Sequence, residues 1–251
     1  MSNNTVHVTG YLNVQKVETL IPSGVLHRQG RPRPIVTGHI HTDAPLWGGN
    51  QPFIADDRQA EVILDFARQY NLIPEDAVRC GTEHRYGVLA HAKLVSFPHR
   101  SYLALRFISF FDTSAPVLTQ PDQFARSTIN LQGYLTIAGQ QYRELTRQET
   151  GLPEDLLCLQ GSFATASANE GGQHPILFSG PLLKELRARA DFQAVFRRNQ
   201  AFTVAATLSG KLFAKGQIIY VMADYLSADL CCRDDHRPGS ESAASFAALG
   251  M

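Results

Sequence analysis

The segment VHVTGYL at residues 6–12 returns in outline as INLQGYL at residues 129–135. Gly10 and Gly133 stand 123 positions apart (133 − 10 = 123), and the same offset carries Gly38 onto Gly161, Thr42 onto Thr165 and PFI at 52–54 onto PIL at 175–177. Farther along the offset becomes 118 (211 − 93 = 118). It then pairs Lys93 with Lys211, Leu94 with Leu212, Tyr102 with Tyr220, Phe107 with Tyr225, Ile108 with Leu226 and Ser109 with Ser227. Each match is weak alone, but their shared order and nearly constant spacing mark an internal duplication, and that confines the chain to two similar folding units. A length of 251 residues suits this, giving two domains of about 100–125 residues each. The expected division is a first domain over 1–113, a linker over 114–127 containing Pro116 and Pro121, a second domain over 128–230, and a flexible tail over 231–251.

Within each copy the pattern reads strand, strand, strand, helix, strand, strand. Residues 6–12 alternate, residues 34–40 and 52–54 open the second and third strands, and residues 58–70 carry Val62, Ile63, Phe66 and Tyr70 at helical spacing with no internal proline or glycine. Residues 87–95 and 101–111 return to strand character. In the second copy Pro181 opens the helix, Leu183, Leu186 and Ala190 follow at helical spacing, and residues 203–213 and 217–226 supply the last two strands. Strand parity assigns Leu103, Leu105 and Phe107 to one inner face, and likewise Val221, Ala223 and Tyr225. Tyr102, Ala104 and Arg106, matched by Tyr220, Met222 and Asp224, take the opposite face. The predicted fold is mainly β: two tandem OB-folds, each a five-stranded Greek-key barrel with a helix between strands three and four.

HPILFSG at 174–180, the helix after it and the strand pair beginning at Ala201 resemble the central part of bacterial single-stranded DNA-binding proteins, and VHVTGYL resembles that family's first strand. The resemblance covers nearly the whole chain outside linker and tail. It implies an OB-fold that binds single-stranded DNA. Two departures stand out. The family's tail ends in an acidic, phenylalanine-tipped peptide that docks partners, whereas this one ends SFAALGM at 245–251, and the family usually carries one OB-fold per chain rather than two.

Charge narrows the function little: Lys plus Arg and Asp plus Glu both number 23, for a pI near 7.1, so any strand-binding surface must be a local groove. No apolar run reaches the roughly 20 residues of a membrane span, and the first residues lack a secretory pattern, so the cytoplasm is the expected compartment and no membrane partner is expected. Cys80, Cys158, Cys231 and Cys232 lack zinc spacing and are expected to stay reduced. His39, His41 and Asp43 share a strand face with metal-ligand spacing, but the second copy has Ser162 and Ala164 there, so no metal is expected. Asp56 and Asp57 read as helix-dipole compensation. With no nucleophile triad, phosphate loop or dinucleotide fingerprint, neither catalysis nor a cofactor is expected.

An OB-fold grips single strands across strands two and three, aided by the loops between strands one and two and between four and five. The first copy supplies Arg28, Arg31 and Arg33 in the segment HRQGRPRP, His39 and His41 on the second strand, and Trp47, the one tryptophan, in a turn-rich loop. Phe97 and Arg100 lie between strands four and five, with Phe213 and Lys215 at the matching place in copy two, and Lys93 and Lys211 are equivalents expected to face solvent. Arginines and lysines would meet phosphates, and flat rings would stack on bases. Asp224 replaces Arg106 on one face, so the two copies are not expected to bind equally. The reading is a single-stranded nucleic-acid binding protein, of DNA with RNA left open, acting in replication, recombination or mobile-element maintenance, with a homo-oligomer or proteins of those processes as partners. A scaffold subunit of a larger assembly is the alternative.

Overall fold

The computed structural model describes residues 4–20, 33–42, 49–69, 86–111, 126–138, 141–150, 154–165, 172–190, 192–193 and 201–228. The expected linker falls almost wholly outside these residues, as do residues 229–230, the expected tail over 231–251, Cys80 and Tyr70.

The first copy contains β1 (Asn4–Leu20), β2 (Arg33–Thr42), β3 (Gly49–Asp56), α1 (Asp57–Gln69), β4 (Tyr86–Phe97) and β5 (Arg100–Phe110). Alternation in β1 sends Val6 and Val8 inward and leaves Thr5, His7 and Thr9 on the other face. This one long strand pairs with β4 over residues 6–12 and with β2 over residues 11–20. The remaining pairings, β2 with β3, β3 with β5 and β5 with β4, close a five-stranded barrel. Gly10 makes the change of partner feasible, because a Cβ there would stand 2.4 Å from the His41 carbonyl oxygen. Gly133 is held in the same way, 2.1 Å from the Ala164 carbonyl oxygen, and Ala164 lies 123 residues beyond His41. The repeated glycine is therefore a requirement of barrel closure.

The second copy contains β6 (Arg126–Ala138), β7 (Tyr142–Leu145), the short α2 (Arg147–Thr150), β8 (Leu156–Thr165), β9 (Gln173–Phe178), α3 (Gly180–Ala188), β10 (Ala201–Lys215) and β11 (Ile218–Ala228). Strands β6, β8, β9, β11 and β10 close the second barrel. The repeat is visible in the register: His39 opposite Pro52 becomes Ser162 opposite Pro175, each shifted by 123. Both barrels are thus OB-folds, as the alternation predicted. The five-strand expectation for the second copy misses β7, which pairs with the first half of β8 as the second half of β1 pairs with β2.

Strand parity fails at one place in each copy, for the same reason. His91 pairs with Phe107 but Ala92 with Leu105, so Arg106 is an extra residue. Ser209 pairs with Tyr225 but Gly210 with Ala223, so Asp224 is extra, 118 positions later. Each bulge reverses the inside–outside alternation. Phe107 and Tyr225, expected inside, are 46% and 57% exposed, and Ile108 is buried instead. In α1 the predicted Ile63 is buried, with Ala60 and Ala67 beside it, while the predicted Val62 and Phe66 are half-buried and Phe66 stacks on Phe110 with centroids 3.8 Å apart.

The barrels meet through β1 and β6, antiparallel, with Val6 opposite Ile129. Because Ile129 lies 123 residues after Val6, equivalent positions face each other, and an approximate two-fold axis passes through the pair. The polar contacts obey it. Leu94 N donates to Asn4 Oδ1 at 3.0 Å, and Leu212 N donates to Ser127 Oγ at 3.0 Å. Asn4 Nδ2 also donates to the Leu94 carbonyl at 2.7 Å and approaches His174 Nε2 at 3.4 Å, while His174 Nδ1 lies 2.9 Å from Ser96 Oγ. His174 is fully buried, and burial pushes it down to about 4. An acceptor Nε2 and a donor Nδ1 suit the neutral ring. Around this seam one apolar core runs through both barrels, from Val8, Ile40 and Phe53 to Leu135, Phe163 and Val221, each such side chain contributing roughly 1.5–3 kcal/mol.

Candidate nucleic-acid interface

Since even-numbered residues of β2 point into the barrel, Thr37, His39 and His41 point out of it. Register places Ile54 opposite Thr37, Pro52 opposite His39 and Asn50 opposite His41, and Ala104 of β5 follows beside Ile54. Here a groove of about 310 Å³ runs over the outer surface, lined by Thr37, His39, Pro52, Ile54, Arg100 and Tyr102. Tyr102 stacks on Phe97 at 6.2 Å between centroids, and the Arg100 guanidinium lies 5.3 Å above the Phe97 ring. Phe97 is 48% exposed. Burial lowers His39 below its ordinary 6.5, so at neutral pH it offers an uncharged ring. His41 bonds through Nδ1 to Asn50 Oδ1 at 2.8 Å.

The groove thus brings together His39 and Arg100 of the sequence-predicted residues, with Phe97 packed against Arg100 and Tyr102 beside it. It adds Tyr102, Pro52 and Ile54, whose signal was strand parity next to strands two and three. Arg33 is exposed at the start of β2, 3.6 Å from Asp57, which stands with φ 49° beside the equally exposed Asp56 where β3 gives way to α1. Lys93 is half-buried on β4 opposite Ala104, and Lys211 is exposed at the equivalent place on β10. Arg28, Arg31 and Trp47 lie outside the described residues. Among the described residues no group of three or more His, Cys, Asp or Glu could hold a metal.

The corresponding surface of the second barrel differs. Cys158, Leu177, Phe213 and Met222 occupy the positions of Ile35, Ile54, Val95 and Ala104, by offsets of 123, 123, 118 and 118. The first-barrel residues are all half-buried, whereas their counterparts are 0, 1, 4 and 4% exposed. The cover is Leu145, at the end of β7, which is fully buried and packs with all four as a separate apolar cluster. Arg143 of β7 lies 5.2 Å over the Tyr220 ring and donates from Nη1 to its hydroxyl at 2.8 Å. Lys215 pairs with Glu149 of α2. Burial raises the Cys158 thiol to about 11, with Arg143 pulling weakly the other way. Phe213 therefore offers no open face for a base, and Lys215 is engaged within the barrel. By register the counterpart of Phe97 is Lys215, and Phe213 answers to Val95.

No protein-family profile matches the sequence, and no curated protein sequence matches it. Solved structures do. The wild-type single-stranded DNA binding protein from Thermus aquaticus superposes with a TM-score of 0.51 at 12% identity, covering 90% of this chain and 92% of that one. The fold is that of the Thermus protein. The match spans both barrels, so a two-barrel chain has a counterpart in a protein of that name. A deletion mutant of the same protein aligns at 14% identity over 94% of this chain and 97% of its own, with a TM-score of 0.48. Among the described residues no helix is long and apolar enough to cross a membrane.

Proposed function

We propose that this chain binds single-stranded nucleic acid, DNA foremost, on the outer face of the first barrel, and that it acts by binding alone. The observation that carries the reading is the groove over β2, β3 and β5, where the Tyr102–Phe97 stack lies beside Arg100. An exposed ring and a half-buried one beside a guanidinium suit bases and their phosphates, and neither contact requires a particular base. The Thermus protein that shares the fold bears the name of a single-stranded DNA binding protein, which supports DNA over RNA. Handling of exposed strands during replication or recombination, in the cytoplasm, is the setting that such a groove would serve.

Fluorescence anisotropy of labelled oligo(dT) at low and moderate salt tests the reading. Binding that weakens as salt rises is expected, because cations on the protein displace counterions from phosphates. No binding at micromolar protein would refute it. Self-association belongs to the same proposal, since Phe107, Tyr134 and Tyr225 are large, exposed rings on strands of the joined sheet. A strictly monomeric elution on size-exclusion chromatography would remove that part alone.

A further inference from the structure

We propose that the second barrel takes part in strand binding through its β10–β11 turn, which completes the first barrel's groove, and that Gln217 is a positioning residue for the strand held there. The inference rests on the groove reading given above. The turn is fastened to the other barrel: Ser101 N donates to the Gln217 carbonyl at 2.7 Å. Gly216 and Gln217 consequently line the groove beside Arg100 and Tyr102. Gly216 turns the chain with φ 61°, a left-handed conformation that glycine adopts without strain. Below it, Lys215 opposite Ile218 and Ala214 opposite Ile219 hold the hairpin in register. Gln217 is exposed.

The approximate two-fold relation gives the first barrel an equivalent turn at Pro98 and His99 (216 − 98 = 118). The surface that would receive it is the one closed by Leu145 and Arg143. Among the described residues, therefore, only one of the two crossings opens onto a groove. A carboxamide both donates and accepts hydrogen bonds, so Gln217 can meet a base edge or a sugar oxygen whatever the sequence. Arg100 and Tyr102 serve phosphate and base beside it. The second barrel thus contributes a contact across the seam in place of a face of its own.

The test measures anisotropy of labelled oligo(dT) with the full chain carrying Gln217→Glu, Gln217→Lys or Tyr102→Ala. Gln217→Glu sets a negative charge beside the phosphate path, and a loss of about tenfold at low salt that shrinks as salt rises is expected. Gln217→Lys should tighten binding by about threefold and steepen the salt dependence, a gain that misfolding cannot mimic. If both Gln217 variants bind like the parent while Tyr102→Ala binds weakly, the groove stands and the contribution of the second barrel is refuted. If all three bind like the parent, the strand does not occupy the groove, and both proposals fall.

Discussion

The two barrels share a fold down to matching glycines and matching bulges, yet their outer faces have opposite fates. In the first, the residues at positions 35, 54, 95 and 104 remain half-buried beside an open groove. In the second, the corresponding residues are sealed under Leu145, with Arg143 clasping Tyr220. Among the described residues the covering side chains come from β7 and α2, and β7 holds in the second barrel the place that the second half of β1 holds in the first. A barrel is a scaffold whose interior tolerates little change, while its surface is free to be opened or covered by a few residues of connecting chain.

Removing the cover should have the largest effect. Leu145→Ala deletes a fully buried side chain, and a loss of about 2–5 kcal/mol in urea unfolding is expected, with oligo(dT) affinity of the folded protein unchanged. A large loss of affinity in the folded variant would mean that the covered face takes part in binding. Next comes acid stability. His174 is held at about 4 against an ordinary 6.5, so below pH 6.5 the unfolded chain takes a proton that the folded chain refuses. Stability from this residue is full above pH 6.5 and falls by about 3 kcal/mol as pH drops toward 4. Denaturant titrations across that range should show a shallower fall for His174→Gln. An unchanged slope would place the acid sensitivity elsewhere.

Smaller effects address the faces directly. Tyr102→Ala should weaken oligo(dT) binding by about 1–3 kcal/mol, the range for loss of one stacked base, whereas Tyr220→Ala should leave affinity near the parent's. Equal losses would erase the distinction between the barrels. The smallest change is expected from Glu149→Gln, which breaks the partly exposed pair with Lys215. About 0.2–1 kcal/mol of stability is expected to go, and the loss should be less at high salt.

The duplication, strand order and helix placement were legible from sequence because they depend on alternation and on glycines that recur at a fixed offset. The reversal at Arg106 and Asp224 was not, since an inserted residue in a strand leaves no mark in composition. Phe107 and Tyr225 were assigned inside for that reason. The nearness of His39 and Arg100 to one groove, with Phe97 against Arg100, follows from their places on the second strand and the last hairpin. The closure of the second face could not be read, because Leu145 and Arg143 lie on β7, where the two copies share strand pairing but no residue likeness that a comparison of sequences would catch. Gln217 was hidden for another reason: it belongs to one barrel and meets the groove of the other.

The pairing of β1 with β6 also governs the order of events during synthesis. Val6 must wait for Ile129, 123 residues later, roughly 6–25 s at about 5–20 residues per second on the ribosome. The first barrel can close before then, but β1 keeps a free edge over residues 4–9 until its partner emerges. The seam that joins the barrels is available only once β6 has emerged, and until then the nascent chain must keep that edge from pairing with a neighbour.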